Sequence, residues 1–109
     1  MLEAIVGSAA AERVLLFLQN YGEAYGREIA ATFGLAPSQV QKQLRKLESG
    51  GILVSRAIGR TRIYGWNPRN PLVIPLQVLL QAALDSLPAA ETKQYYRARR
   101  RPRRSGKVL

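Results

Sequence analysis

The chain has 109 residues, enough for one domain with a modest core, and 47% of them are hydrophobic. It contains no Cys and no His, which excludes disulfides, thiol or imidazole catalysis and the usual zinc sites, so we expect no metal and no cofactor. The formal charge of +10 favours a polyanionic partner, with nucleic acid first and an anionic membrane surface second.

The positive charge is concentrated at the C-terminal end. Residues 1–92 hold nine basic and seven acidic residues, whereas residues 93–109 hold eight basic residues and no acid. We therefore predict a folded domain over 1–92 and a disordered basic tail over 93–109, which is too polar to bury a core. No apolar run approaches the ~18 residues of a membrane span, and the N-terminus lacks the pattern of a secretion signal. We expect a cytoplasmic protein with no membrane partner.

Helical periodicity dominates the first half of the chain. After a short lead-in over residues 2–6, Ser8 is placed to cap a helix over 9–19, which ends at 20–22. Residues 23–25 are too few for a helix and predict a small edge strand.

Two further helices follow, separated by a glycine turn. Gly26 opens a helix over 27–33, and Gly34 is placed to end it. Pro37 then lies in the first turn of a third helix, which runs to about Ser49 and is closed by Gly50–Gly51.

After this helix the spacing of the apolar residues changes from a period of 3.6 residues, typical of a helix, to a period of 2 residues, typical of a strand. Ile52–Ile58 and Thr61–Trp66 predict two strands joined by a hairpin tip at Gly59–Arg60. A loop over 67–71 precedes a leucine-rich fourth helix over 72–87, with Pro88 as its stop.

This order of elements resembles the winged helix-turn-helix transcriptional regulators of the ArsR/MarR-like group. The resemblance is carried by residues 25–66, YGREIAATFGLAPSQVQKQLRKLESGGILVSRAIGRTRIYGW. The chain is most similar to small bacterial and archaeal members with a Tyr-x-x-Asn-Pro ending after the hairpin, here residues 64–68. The resemblance covers roughly residues 8–87. It implies a mainly α fold with a small β-hairpin (the wing), a three-helix core and a C-terminal helix, in a DNA-binding repressor and not an enzyme.

The helix over residues 37–49, which we call the recognition helix, is predicted to contact DNA bases. Its helical angles place Val40, Leu44 and Leu47 in a narrow core stripe. Arg and Lys pair with guanine and Gln pairs with adenine in the major groove. The predicted DNA-contacting residues on the outward face are Ser38, Gln39, Gln41, Lys42, Arg45 and Lys46.

Two other cationic segments are predicted to hold the DNA backbone. A basic hairpin can follow phosphates or enter a minor groove, and a basic tail raises affinity without reading sequence. The wing residues are Arg56, Arg60 and Arg62, and the tail residues are Arg97, Arg99, Arg100, Arg101, Arg103 and Arg104.

The fourth helix has more leucine than so small a body is expected to cover. The resembling regulators pair through terminal helices, and a two-fold dimer places two recognition helices on successive groove faces. We therefore predict a homodimer. The predicted interface residues are Leu76, Leu79, Leu80, Ala83, Leu84 and Leu87.

Two alternatives to a double-stranded DNA-binding regulator stay open. An RNA-binding or ribonucleoprotein accessory would use the basic tail, with Tyr95 and Tyr96 stacking on unpaired bases. A winged helix used only for protein interaction would be favoured by a neutral recognition helix, and this one is cationic. The sequence shows no catalytic arrangement, since its acids are scattered and its glycines form no phosphate loop.

Overall fold

The computed structural model describes residues 1–97. Within this range the chain forms six helices and one three-stranded antiparallel sheet of strand order β1-β3-β2. The elements in chain order are α1 (Glu3–Val6), α2 (Ala9–Tyr21), β1 (Glu23–Tyr25), α3 (Gly26–Phe33), α4 (Pro37–Ser49), β2 (Leu53–Ile58), β3 (Thr61–Trp66), α5 (Val73–Asp85) and α6 (Ala89–Tyr95). The predicted mainly α fold with a small hairpin is confirmed.

Helix α2 contributes to both apolar clusters of the domain, and Phe33, Leu47 and Trp66 pack against both of them. Ser8 caps it as predicted, its Oγ accepting the Ala11 N–H at 3.1 Å. The helix continues to Tyr21, beyond the predicted end, since the Gly22 N–H still reaches the Leu18 carbonyl at 2.8 Å. The first cluster contains Val14, Phe17, Leu18, Ala24, Ile29, Ala30, Val40, Leu44, Leu53 and Tyr64. The second contains Leu2, Leu15, Leu16, Leu80, Ala83, Leu84 and Tyr96.

Helices α3 and α4 are joined by a tight glycine turn, as predicted. Gly34 has a φ of +66°, in the left-handed region that glycine adopts without a Cβ clash. Only three residues therefore separate the two helices, and Pro37 begins α4 at a position where its missing N–H is not needed. This turn orients α4 relative to the rest of the domain.

The hairpin pairs β2 with β3 from Leu53↔Trp66 to Ile58↔Thr61, and β1 pairs with the other edge of β3. Strand β2 begins one residue later than predicted, because the Ile52 N–H donates to the Leu47 carbonyl at the end of α4. The predicted edge strand over residues 23–25 is confirmed.

The segment between the hairpin and α5 is held by two asparagines. The Nδ2 atoms of Asn67 and Asn70 both donate to the Gly51 carbonyl, at 2.8 and 2.9 Å. The Asn-Pro ending of the hairpin therefore has a structural role, which is to fix the point from which α5 departs.

Helix α6 was not predicted from the sequence. Because it runs to Tyr95, the folded domain extends beyond its predicted end at residue 92. Tyr96, directly after α6, is buried among the leucines of the second cluster, and the Tyr21 hydroxyl donates to the Tyr95 carbonyl at 2.8 Å. The expectation that the disordered tail begins at residue 93 is wrong for residues 93–97. The rings of Tyr95 and Tyr96 pack against the second cluster, although the basic residues on either side make this segment polar on average. Residues 98–109 lie outside the described part of the chain.

No single helix between residues 1 and 97 has the length and apolar character of a membrane span; only α5 and α6 taken together reach that composition, with a bend of 117° between them.

Candidate nucleic-acid interface

The recognition helix α4 exposes one polar side and buries one apolar stripe. Val40 and Leu44 are fully buried, and Leu47 packs against the same cluster. The polar residues predicted for the outward side that are exposed are Ser38, Gln39, Lys42, Arg45 and Lys46. An open groove of about 500 Å³ runs along Pro37, Ser38, Gln41, Lys42 and Arg45.

Gln41 differs from the other five predicted contact residues. It is half-buried, and its Nε2 donates to the Tyr64 hydroxyl at 3.0 Å. This bond links the recognition helix to the central strand of the sheet. One donor of the Gln41 amide is thus used inside the protein, which weakens the expectation that Gln41 makes a bidentate contact with adenine.

The charge of the recognition helix is not neutralised by neighbouring acids. In the part of the chain that the structure describes, the ion pairs involve the N-terminal amine and Arg56, and none involves Lys42, Arg45 or Lys46. Glu48, the acid of α4, accepts the Ser55 hydroxyl at 2.6 Å. The outward side is therefore exposed and cationic.

The three wing arginines do not share one face of the hairpin. Side chains alternate along a strand, so the register places Arg62 on the face of Ser55 and Tyr64, and Arg56 on the opposite face with Ile63. Arg56 is exposed there and lies 3.8 Å from the Glu23 carboxylate. Arg60 is exposed at the hairpin tip.

Arg60 and Arg62 line a cleft together with a further arginine, Arg27. The cleft, of about 310 Å³, lies where the starts of α3 and α4 face the wing, and its described lining contains no carboxylate. The lining residues are Tyr25, Gly26, Arg27, Pro37, Gln41, Arg60, Thr61, Arg62 and Tyr64. Arg27 is the residue that sequence reasoning missed. Its position in the first turn of the helix before the glycine turn is the signal that could have found it.

Helix α3 comes close to α4 at Gly26, the residue before Arg27. A Cβ added to Gly26 would lie 3.2 Å from Leu44 Cδ1 and 3.4 Å from Gln41 Oε1, so only glycine lets the two helices meet at this distance without displacement. The Arg27 guanidinium lies 5.5 Å from the centre of the Tyr25 ring, within range of a cation–π contact.

Solved structures with a similar fold are transcriptional regulators. The AntR antimony-specific transcriptional repressor is 24% identical over 84% of this chain and 78% of its own, with a TM-score of 0.61. A MarR-family transcriptional regulator from Rhodococcus sp. RHA1 is 21% identical over 84% of this chain and 71% of its own, with a TM-score of 0.57. A possible ArsR-family regulator from Mycobacterium bovis, solved as a homodimeric winged helix-turn-helix DNA-binding domain, is 26% identical over 72% of this chain and 69% of its own, with a TM-score of 0.54.

The chain folds as a winged helix-turn-helix domain. Its structural neighbours are regulators of the ArsR and MarR families, as the sequence resemblance predicts. No protein-family model matches the sequence, and no curated protein matches it.

Part of the predicted dimer interface on α5 is buried within the chain itself. Leu80, Ala83 and Leu84 are buried against α2, which corrects the expectation that these three residues contact a second subunit. Leu76 and Leu87 pack at the margin of the same cluster, whereas Leu79 is exposed. The apolar residues that α5 and its N-terminal flank leave exposed are Leu72, Ile74, Val78 and Leu79.

The predicted tail contacts are mostly outside the described residues. Arg97 is exposed, and its carbonyl accepts the Asn20 Nδ2 at 3.3 Å. Arg99, Arg100, Arg101, Arg103 and Arg104 lie beyond residue 97, so their role in phosphate binding stays a prediction.

The aromatic residues at the end of the domain pack against it. The Arg13 guanidinium lies 5.0 Å from the centre of the Phe33 ring and 5.7 Å from that of Tyr95. Burial raises the pKa of the Tyr96 hydroxyl, and the positive charge of Arg13 offsets part of that rise. The proposed stacking of Tyr95 and Tyr96 on unpaired bases is wrong for Tyr96, which is buried, and Tyr95 is half-buried.

Proposed function

We propose that this winged helix is a sequence-specific double-stranded DNA-binding transcriptional regulator acting as a dimeric repressor. The observation that carries the proposal is the exposed side of α4, whose Lys42, Arg45 and Lys46 lie on the helix after the glycine turn without an acidic partner in the described chain. A helix of this size fits a major groove. As a DNA regulator, the protein would act in the cytoplasm.

The cleft beside α4 supports a division of roles between base contacts and phosphate contacts. When a recognition helix occupies the major groove and a wing tip lies at the adjacent minor groove, one DNA strand runs between the two grooves. Arg27, Arg60 and Arg62 line the space between α4 and the wing, so we assign them to the phosphates of that strand. We exclude Arg56 from this set because it lies on the other face of the hairpin, beside Glu23.

A second copy of the chain is the proposed partner for the exposed side of α5. Ile74 and Val78 are 71% and 66% exposed and lie one helical turn apart on the same side. An apolar surface of this kind is typical of a homodimer interface. The Mycobacterium bovis neighbour is homodimeric, which supports a dimer here.

A competition assay tests the proposed nucleic-acid class. Labelled random duplex DNA would be enriched for bound sites, and the bound fraction would then be challenged with unlabelled duplex or single-stranded RNA. We expect the selected duplex to compete best. Preferential displacement by single-stranded RNA would replace the DNA proposal with the RNA-binding alternative, for which the packed Tyr96 gives no structural support.

A further inference from the structure

A chain of two hydrogen bonds joins the end of the recognition helix to both strands of the wing. The Ser55 Oγ, on β2, donates to Glu48 Oε2 of α4 at 2.6 Å, and the Arg62 Nε, on β3, donates to Ser55 Oγ at 3.0 Å. Ser55 is half-buried and Arg62 is exposed. The three side chains belong to three different elements, so the link forms only in the folded domain.

The direction of each bond follows from the proton inventory of the three groups. A serine hydroxyl has one proton and two lone pairs, and an ionised carboxylate only accepts. The short bond to Glu48 commits the hydroxyl proton to the carboxylate. The lone pairs of Ser55 are then available to the Nε–H of Arg62, which orients the guanidinium.

Arg62 keeps its capacity to bind phosphate in this arrangement. A guanidinium has five N–H donors, and Ser55 uses the one on Nε, so the four donors on the two terminal nitrogens remain for phosphate. Arg56 on the opposite face contrasts with it, because Arg56 forms an ion pair with the Glu23 carboxylate at 3.8 Å. The interposed hydroxyl fixes Arg62 without a direct ion pair to Glu48.

We infer that Ser55 is a positioning residue for DNA binding, which holds Arg62 at the cleft between the wing and the recognition helix before DNA arrives. The inference rests on the proposed DNA-binding function. Fixing a long side chain in the free protein lowers the conformational entropy that is lost on binding. Because the carboxylate that anchors Ser55 belongs to α4, the same link also sets Arg62 relative to the helix that contacts the bases.

The substitutions S55T and S55V form a matched pair for the test. Both are β-branched side chains of similar shape that suit a strand, but only Thr keeps the hydroxyl. With duplex enriched for binding to the wild type, we expect S55V to weaken affinity about 3- to 10-fold and S55T to stay within about 2-fold. In an R62A background, S55V should add no further loss, since coupled residues are non-additive.

A measurement without DNA separates this inference from the proposed function. In the free protein, the Arg62 Nε–H should give a resolved NMR signal with slowed solvent exchange in the wild type and S55T, and lose it in S55V. We expect S55V to unfold at nearly the wild-type temperature; a large fall in its Tm would assign the loss of affinity to a general loss of stability and overturn the inference.

The outcomes distinguish the two claims. Equal affinities of S55V and wild type, with R62A weaker than both, overturn the positioning role and leave DNA binding intact. An equal loss from S55V with and without Arg62 shows a structural role for Ser55 and also overturns the inference. A wild type that binds no duplex overturns the proposed function and the inference with it.

Discussion

Two neighbouring polar residues of the recognition helix have different surroundings. Gln41 donates to the buried Tyr64 hydroxyl, whereas Lys42 is exposed on the outward side. Helical angles alone place both on the outward half of α4. The side-chain hydrogen bond therefore decides which of the two is fully available to DNA.

Arg45 is the residue whose loss should change sequence preference. Arg45→Ala is expected to cost about 1–3 kcal/mol on the preferred site and to relax discrimination at one base pair. Binding isotherms on the preferred and a random duplex measure both effects. Arg69→Ala is the matched control, since it removes an exposed arginine from the loop at the other end of the hairpin from the tip. An equal loss on both duplexes would instead assign Arg45 to phosphate.

Arg27 should behave as a phosphate contact. We expect Arg27→Ala to weaken binding to all duplexes alike and to reduce the slope of log K against log salt by about 1. Affinity measured between low and moderate salt gives the slope. If the Arg27→Ala slope equals that of the wild type, then the strand does not run across the cleft.

At the scale of the elements, α5 shows how an apolar helix is divided between core and surface. Leu80 is fully buried against α2, while Val78, two residues earlier, is 66% exposed. The leucine spacing predicts an apolar helix but does not identify which of its sides the rest of the chain covers. The position of α2 decides that, because α2 already presents Leu15 and Leu16 on the side that α5 meets.

The two sides of α5 should respond differently to substitution. Leu80→Ala is expected to lower the free energy of unfolding by about 2–5 kcal/mol through cavity formation, measured by denaturant unfolding. Val78→Lys places a charge on the exposed side, and we expect it to keep the fold and yield monomers by light scattering. A monomeric wild type at micromolar concentration would contradict the dimer proposal.

Tyr96, directly after α6, makes the stability of the folded domain depend on pH. The raised pKa of the Tyr96 hydroxyl means that the folded state keeps this proton above pH 10, the ordinary tyrosine value, where the unfolded state releases it. The stabilising contribution is therefore complete below about pH 10 and is lost as the pH rises toward the folded-state pKa. Unfolding free energies of the wild type and Tyr96→Phe between pH 8 and 11 test this, and Tyr96→Phe should show the weaker decline. Parallel declines would contradict it.

At the scale of the whole molecule, charge is distributed very unevenly. Residues 98–109 contain six basic residues and no acid, and they follow an ordered body that extends to Tyr96. A segment of this composition attracts a polyanion without choosing its sequence. The proposed regulator thus combines a base-contacting helix with a non-selective cationic extension.

Truncation after Arg97 should change the salt dependence of binding but not the site preference. If about four of the removed cations meet phosphates, the slope of log K against log salt should flatten by about 3–4 units. Affinity at low salt should fall alike on selected and random duplexes. A changed site preference would mean that the arginines of this segment contact a groove. An unchanged slope would assign the segment to solubility or to another partner.

Local patterns in the chain predict the order of the elements from α2 to α5 and the core stripe of the recognition helix. These features depend on local periodicity, on Ser8 and Gly34 at helix ends, and on the hairpin tip, all of which act within a few residues along the chain. Features that join distant positions of the chain depend instead on tertiary packing. Arg27 lines the cleft beside Gly26, where α3 comes close to α4, and Tyr96 packs after α6 against leucines of α2 and α5. Such contacts depend on which surfaces meet after folding, and no local pattern in the chain contains that information.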